Sequence, residues 1–362
     1  MYKYFKHLKK ERVRISSPNH EYLEMHRAAR IDFYSKKIKK EIQKHLQLTH
    51  LNRYPKIEEL YQKIAQFHNI NENNILITSG IDGGIKTVFE MCTNKNSTVL
   101  CLTPTYAMYH VYSDVFETKL IEIQTEKETL KITPKTILNQ INKNIDILFL
   151  PNPHQPIENV FTLKELEKIL LKAKKNDVLV FVDEAYYMFD APTALPLIPK
   201  YDNLIVARTF SKGFGLPGIR IGYLLSNDNL INYLSSKRFA HETSSISCQI
   251  AMWAIDNVTI FQEYTKTVCT TRKWLKKKLY KHGFKTHGQM SNTILIDLKS
   301  SYMVEQISKE LKNANILVRS NIPKPFDNFI MVTIGSKNKT SLFLKSFLSL
   351  YKNHPIKNSL NN

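Results

Sequence analysis

One lysine in this sequence stands in a setting that could hold an aldehyde. In ARTFSKGFGLPGIRIGY (207–223), Lys212 lies between the hydroxyl residues Thr209 and Ser211 and a glycine-rich run that ends at Arg220. An amine there can condense with an aldehyde cofactor and later carry protons. A phosphate on the same cofactor needs hydroxyls, backbone N–H groups and a cation, and Thr209, Ser211 and Arg220 supply them. The glycines let backbone approach closely. A surface lysine in a turn is the ordinary reading of Ser-Lys-Gly alone; the length of the segment argues against it. A second segment, VLVFVDEAYYMF, ends a very apolar strand on Asp183. A carboxylate there could keep a ring nitrogen protonated, so that the ring draws electrons. Tyr186, three residues on, could hydrogen-bond a phenolic oxygen on such a ring. Taken alone, an Asp after a buried strand is a helix cap or a loop carboxylate. A third segment, ITSGIDGGIK (77–86), reads as strand, tight turn and helix start, and N–H groups at a helix N-terminus attract anions. A plain strand-to-helix turn is the alternative there.

These residues need a scaffold, and the chain supplies an alternating one. RIDFYSKKIKKEIQKHL and KIEELYQKIAQFH have helical spacing. Short apolar strands follow at NILITSG, STVLCLTP, KLIEIQT, IDILFLPNP, VLVFVDEA, NLIVARTFS and RIGYLLSN, with helices at GGIKTVFEMC, TYAMYHVYSDVF and TLKELEKILLKAKKN between them. Strands alternating with helices predict an α/β fold with a mostly parallel sheet covered on both faces. In such sheets ligands gather at the carboxyl ends of the strands, where the residues above fall. From about 256 a long helical stretch leads into a shorter α+β pattern: NTILIDL, MVEQISKELKNA, ILVRS, FIMVTIG and KTSLFLKSFLSLYKN. The expected division is an N-terminal arm and part of a small domain at 1–45, a large domain at 46–255, and a C-terminal small domain at 256–362.

Composition sets bounds. With 362 residues, 43% hydrophobic, the chain can bury a large core and a smaller one. No apolar run is long enough to span a membrane. The basic N-terminus MYKYFKHLKKERVR is followed by no apolar stretch, so it does not read as a secretory signal. The four cysteines (Cys92, Cys101, Cys248, Cys269) lack paired spacing, which suits a reduced cytoplasm and gives no metal site. The net charge of +20 could serve a nucleic acid, a membrane surface or an anionic substrate. Lysines spread along the whole chain, without a helix-turn-helix or RNA-binding signature, favour a compositional origin, so neither nucleic acid nor membrane is an expected partner.

The lysine segment resembles the pyridoxal 5′-phosphate attachment pattern of class I/II aminotransferases, T-x-S-K-x-x-G-x-x-G-x-R-x-G, at every fixed position. Other segments resemble the same family in its order, nearest to histidinol-phosphate aminotransferases and their relatives. Gly80, Ile81 and Asp82 match its phosphate-binding turn. Tyr106 of PTYAMY falls where the family stacks an aromatic ring on the pyridine. FLPNPHQPIE resembles its N-P-N-N-P-T-G turn, with Asn152, Pro153 and Pro156 in place. Gln155 stands for the asparagine that reaches the phenolic oxygen, and Ile157-Glu158 for Thr-Gly. LNRYPKIEELY resembles its N-R-Y-P-D segment, whose tyrosine, here Tyr54, reaches a neighbouring subunit's cofactor phosphate. The resemblance implies fold type I, with a large cofactor domain and a small α+β domain built from both chain ends. It implies a homodimer with shared active sites and ping-pong transamination between an amino donor and a keto acceptor.

The departures concern the substrate. ANILVRSN resembles the family strand that ends in an arginine, here Arg319. The next strand resembles L-R-I-T-x-G but carries Met331 in place of the arginine that clamps a carboxylate, and methionine cannot make that pairing. EMHRAARIDF resembles H-R-N-E-R-x-D, with Ala28 and Ala29 replacing Asn and Glu. Arg319, Arg27 and Arg30 suit a small phosphorylated amino or keto substrate, such as dihydroxyacetone phosphate with serinol phosphate, or histidinol phosphate. The alternatives are a decarboxylase of a phosphorylated amino acid and a cofactor-binding protein associated with nucleic acid.

Overall fold

A computed structural model describes residues 21–48, 52–126, 129–157, 159–238 and 242–354. The N-terminal arm before residue 21 and the tail beyond residue 354 lie outside the described residues. In chain order the elements open with β1 (Leu23–Glu24), α1 (Lys36–His45), α2 (Glu58–His68) and β2 (Ile75–Thr78). Next come α3 (Gly80–Cys92), β3 (Thr98–Thr103), α4 (Met108–Val115), β4 (Lys119–Gln124), α5 (Pro134–Gln140) and β5 (Ile147–Pro151). They continue with α6 (Leu163–Lys174), β6 (Leu179–Asp183), β7 (Leu204–Thr209), β8 (Gly222–Leu225), α7 (Asp228–Ser235) and α8 (Ser245–Asp256). The chain closes with α9 (Val258–Lys281), β9 (Thr286–His287), β10 (Thr293–Asp297), α10 (Ser301–Asn313), β11 (Ile316–Leu317), β12 (Phe329–Thr333) and α11 (Lys337–Lys352).

Two compact units result, and the described residues of the first are those between Tyr34 and Glu263. Its seven-stranded sheet runs β2-β8-β7-β6-β5-β3-β4. Every neighbouring pair from β7 through β6, β5 and β3 to β4 is parallel, and β8 is antiparallel to both β7 and β2. Alternation along each strand feeds two cores. Leu148, Leu150, Val180, Val182, Leu204 and Val206 point into one apolar cluster. Ile147, Phe149, Phe181, Ile205 and Ala207, their neighbours in sequence, point into the other. That two-sided burial is why the strands read as continuous apolar runs.

Local signals set the element ends. Thr162 and Glu165 form a reciprocal capping box at the start of α6. Asn69 in the left-handed region (φ 53) ends α2. The long helical stretch expected from about 256 is α9, and α8 ends just before it. Asn257 ends α8, with its backbone N–H and its side-chain amide both donating to the Trp253 carbonyl.

The second unit comprises, among the described residues, 21–33 and 264–354. It has a three-stranded antiparallel sheet in the order β12-β10-β9 and a parallel pair of β1 with β11. The observed divisions fall after residues 33 and 263. Helix α1 belongs to the first unit because Ile38 and Ile42 pack on its core and the Tyr34 hydroxyl donates to the Phe214 carbonyl at 2.8 Å.

Candidate active site

The carboxyl ends of the central strands bring most of the expected residues to one edge of the sheet. Asp183 is the last residue of β6, Thr209 the last of β7, and Lys212 follows in the turn. Asn152 follows β5, Gly80 follows β2, and Tyr106 lies between β3 and α4. Asn152 is fully buried and brackets the Phe161 backbone. Its amide donates to the Phe161 carbonyl at 3.1 Å and its oxygen accepts the Phe161 N–H at 2.8 Å. That clasp fixes the loop that carries Gln155.

Asp183 is buried at 8% exposure. One carboxylate oxygen accepts the Tyr109 hydroxyl at 2.9 Å, and the other accepts the Ala185 N–H at 3.0 Å. Burial pushes its pKa up from 3.8 to about 6, against the pull of those two donors and of Lys212. The Lys212 amine lies 5.6 Å from the centre of the Tyr186 ring and its charge reaches Asp183, so the lysine, the carboxylate and the phenol lie together at this edge. Tyr106 is 47% exposed and meets Tyr109 edge-on, with ring centres 6.1 Å apart.

A close-packed cradle of main chain and Arg220 sits beside them. Gly80 has φ +70, and a Cβ there would stand 2.7 Å from the Arg220 guanidinium, so only glycine lets Arg220 lie over the start of α3. A Cβ on Gly222 would meet the backbone of Gly80 and Ile81 at 2.6 Å, so β8 and the α3 N-terminus touch main chain to main chain. Arg220 itself is left-handed (φ 53) after a short turn at Pro217–Ile219. The Tyr112 hydroxyl reaches the Asp82 carboxylate at 3.4 Å. Thr209 spends its hydroxyl on the backbone. It accepts the Ser211 N–H at 3.0 Å and donates to the Ile221 carbonyl at 3.4 Å, which closes the turn that presents Lys212.

Sequence reading passed over two groups at this edge. One is Tyr109, a turn beyond Tyr106 on α4. The other is a buried charge network behind Asp183. The register that pairs Asp183 with Ala207 sets Glu184 beside Arg208 one step on. Glu184 is 0% exposed and Arg208 is 3% exposed. Arg208 donates to one Glu184 oxygen through Nε at 3.0 Å and Nη2 at 2.8 Å, and to the Thr193 hydroxyl at 2.8 Å. Its guanidinium lies 4.1 Å from the Tyr187 ring centre and 2.9 Å from the His68 ring nitrogen. Burial, helped by that guanidinium, pushes His68 down to about 2, so the ring is neutral. One sequence signal was available: a pair of acids and a single arginine at matching ends of two apolar strands.

The arginines expected to meet substrate lie in the second unit. Arg27 is exposed, with its Nε on the His26 ring at 3.0 Å. Arg30 lies 3.7 Å over the Tyr264 ring and donates to the Asp32 carbonyl at 3.0 Å. Arg319 is exposed, and its backbone bridges that of Met331 through bonds of 3.0 and 2.8 Å. Met331 itself is 3% exposed, opposite Leu295 on β10. In the first unit Tyr54 is 77% exposed and lines a cleft of about 250 Å³ with Arg53, Lys56, Gln249 and Met252. Among the described residues, no cluster of His, Cys, Asp or Glu is placed to hold a metal, and no helix is long and apolar enough to cross a membrane.

The aminotransferase class I and II family matches residues 9–346. The chain belongs to this family. It is therefore an enzyme, a transaminase with pyridoxal 5′-phosphate as cofactor. It is 34% identical over 304 residues to the histidinol-phosphate aminotransferase of Brachyspira hyodysenteriae, covering 83% of each chain. To that of Thermotoga neapolitana it is 31% identical over 291 residues, covering 80% of this chain and 81% of the other. Among solved structures, the histidinol-phosphate aminotransferase of Sinorhizobium meliloti, in complex with pyridoxal-5′-phosphate, aligns with a TM-score of 0.83 at 19% identity. That alignment covers 92% of this chain and 91% of the other. The L-threonine-O-3-phosphate decarboxylase of Porphyromonas gingivalis aligns with a TM-score of 0.72 at 19% identity over 91% of this chain and 99% of the other. The fold is thus fold type I. The geometry fits the cofactor: a cradle that a Cβ would fill lies beside an amine and a buried carboxylate that neutral donors hold in place.

Proposed function

We propose that this transaminase moves an amino group to or from a small phosphorylated substrate, with histidinol phosphate first among candidates and serinol phosphate second. The observation that carries the substrate class is Met331. A buried methionine stands where a carboxylate-clamping arginine is expected, which suits an amine whose reacting carbon bears no carboxylate. A decarboxylase substrate would bring that carboxylate. The similarity to histidinol-phosphate aminotransferases points the same way.

Once bound, the cofactor supplies an aldehyde to take up the amine and an electron-withdrawing ring beside the reacting carbon. The residues divide the remaining work. Lys212 holds the cofactor at rest and, when displaced by substrate, moves the proton at the reacting carbon as base and then acid. Asp183 holds a proton on the ring nitrogen. Tyr186 and Gln155 donate to the phenolic oxygen, and Tyr106 covers one ring face. The α3 N-terminus at Gly80, Ile81 and Asp82 holds the phosphate with Ser211 and Arg220, and Thr209 shapes the turn behind them. Arg27, Arg30 and Arg319 are the basic groups assigned to the substrate phosphate. A homodimer in the cytoplasm, with Tyr54 lent to the neighbouring subunit's site, completes the reading.

The test is the visible spectrum of the purified holoenzyme, taken before and after single amines. One phosphorylated amine should convert the cofactor band to that of the aminated cofactor, and Lys212→Ala should abolish the starting band. Conversion by carboxylate-bearing amines alone would refute the substrate class.

A further inference from the structure

We infer that Tyr109 is a positioning residue for the reaction: its hydroxyl holds the Asp183 carboxylate ionised and aimed at the cofactor's ring nitrogen. The inference rests on the reading of Asp183 given above. Tyr109 is fully buried, and its hydroxyl lies 2.9 Å from an Asp183 oxygen. Burial and the neighbouring carboxylate hold its phenol protonated well above the ordinary range, so the oxygen can only donate. Asp183 is faced by the Tyr109 hydroxyl from α4, by the Ala185 N–H from its own turn, by Lys212 after β7 and by Glu184 beside it. Glu184 is engaged by Arg208. Each Asp183 oxygen thus has one donor, which fixes the carboxylate plane and leaves lone pairs for a ring N–H.

Two packing contacts make Tyr109 a rigid donor. Its ring stacks on Phe149 at 4.9 Å, and Tyr106 meets its edge at 6.1 Å. One side chain therefore touches both the carboxylate under the ring nitrogen and the aromatic expected over the ring face. A proton shared between Asp183 and the ring nitrogen resides on the stronger base of the two. By stabilising the carboxylate, the hydroxyl moves that proton onto the ring, where it is needed.

The experiment compares wild type, Tyr109→Phe, Phe149→Leu and Asp183→Ala holoenzymes by NMR of cofactor labelled at the ring nitrogen, and by cofactor affinity. Tyr109→Phe keeps the ring in its stack and removes only the donor. It should move the ring-nitrogen signal towards the unprotonated form and weaken cofactor binding about tenfold, equivalent to about 1.4 kcal/mol. Phe149→Leu, which loosens the stack but keeps the donor, should leave the signal in place. If Tyr109→Phe leaves signal and affinity within about twofold of wild type, or if Phe149→Leu moves both equally, the hydroxyl has no such role and the inference falls. If Asp183→Ala also leaves the signal unmoved, the assignment of Asp183 fails and takes the inference with it. A shift with Asp183→Ala but not with Tyr109→Phe defeats the inference alone.

Discussion

The buried carboxyl of Asp183 gives the cofactor-free protein a pH dependence whose sign differs from that of an ion-paired acid. Its pKa rises from 3.8 to about 6 on folding, mainly through burial. A carboxyl with a raised folded value favours folding when protonated. That contribution is fully present below pH 3.8 and is lost as the pH rises through about 6. The gap corresponds to about 3 kcal/mol. Asp183→Asn keeps the shape without the charge, so it isolates this effect from every other titration. Denaturant unfolding of the cofactor-free proteins should give similar stabilities near pH 4. The variant should gain on wild type up to about 3 kcal/mol by neutral pH. Bound cofactor should reverse the order, because a protonated ring nitrogen repays the ionised carboxylate and not the amide. A stability difference that stays flat within about 0.5 kcal/mol across this range would refute the reasoning.

Two further predictions concern the supports of the site. Glu184→Ala strands the Arg208 guanidinium at 3% exposure and should cost about 3–5 kcal/mol in denaturant unfolding. Glu184→Leu with Arg208→Met should cost less than the two single changes added together, and strict additivity would mean that the pair is not coupled. The shared-site dimer predicts complementation. Lys212→Ala and Tyr54→Phe subunits, each impaired alone, should regain activity when dissociated together and reassociated, because one site of the hybrid carries neither change. No recovery in a demonstrated hybrid dimer would place Tyr54 outside the neighbour's site.

All seven strands of the large sheet were legible: burial on both faces leaves the inner ones as short apolar runs ended by polar or glycine-rich turns, and the edge strand β4, with only Ile123 buried, still carries Leu120, Ile121 and Ile123. Helices α5, α7 and α8 were not. The first two are short, at seven and eight residues, and the starts of all three rest on the Thr133, Asn227 and Ser244 caps, each a single side-chain oxygen accepting one backbone N–H. The strand expected at ILVRS is only Ile316–Leu317, since Arg319 turns to bridge Met331 instead. Of the cofactor residues, Lys212 and Asp183 could be argued from their own chemistry, but Tyr106, Gln155 and Tyr54 only from resemblance. Tyr109 escaped notice because a buried tyrosine on an amphipathic helix has the spacing of an ordinary core residue. Only the three-dimensional meeting of α4 with the end of β6 reveals its partner.

The same meeting explains why two carboxylates stand side by side at Asp183 and Glu184. Consecutive residues leaving a strand point to opposite sides. Glu184 turns back into the protein, where Arg208 neutralises it within a closed set of bonds to Thr193 and Ala194. Asp183 turns to the strand-end edge, where its close donors are a neutral hydroxyl and a neutral N–H. Burying a carboxylate costs less when a cation repays it. The protein repays Glu184 with its own arginine and leaves Asp183 short of full compensation, as its raised pKa registers. A ligand whose cationic ring nitrogen approaches that edge recovers the difference on binding. The stability that the cofactor-free protein forgoes at Asp183 thus becomes affinity for the protonated ring, the form that draws electrons from the reacting carbon.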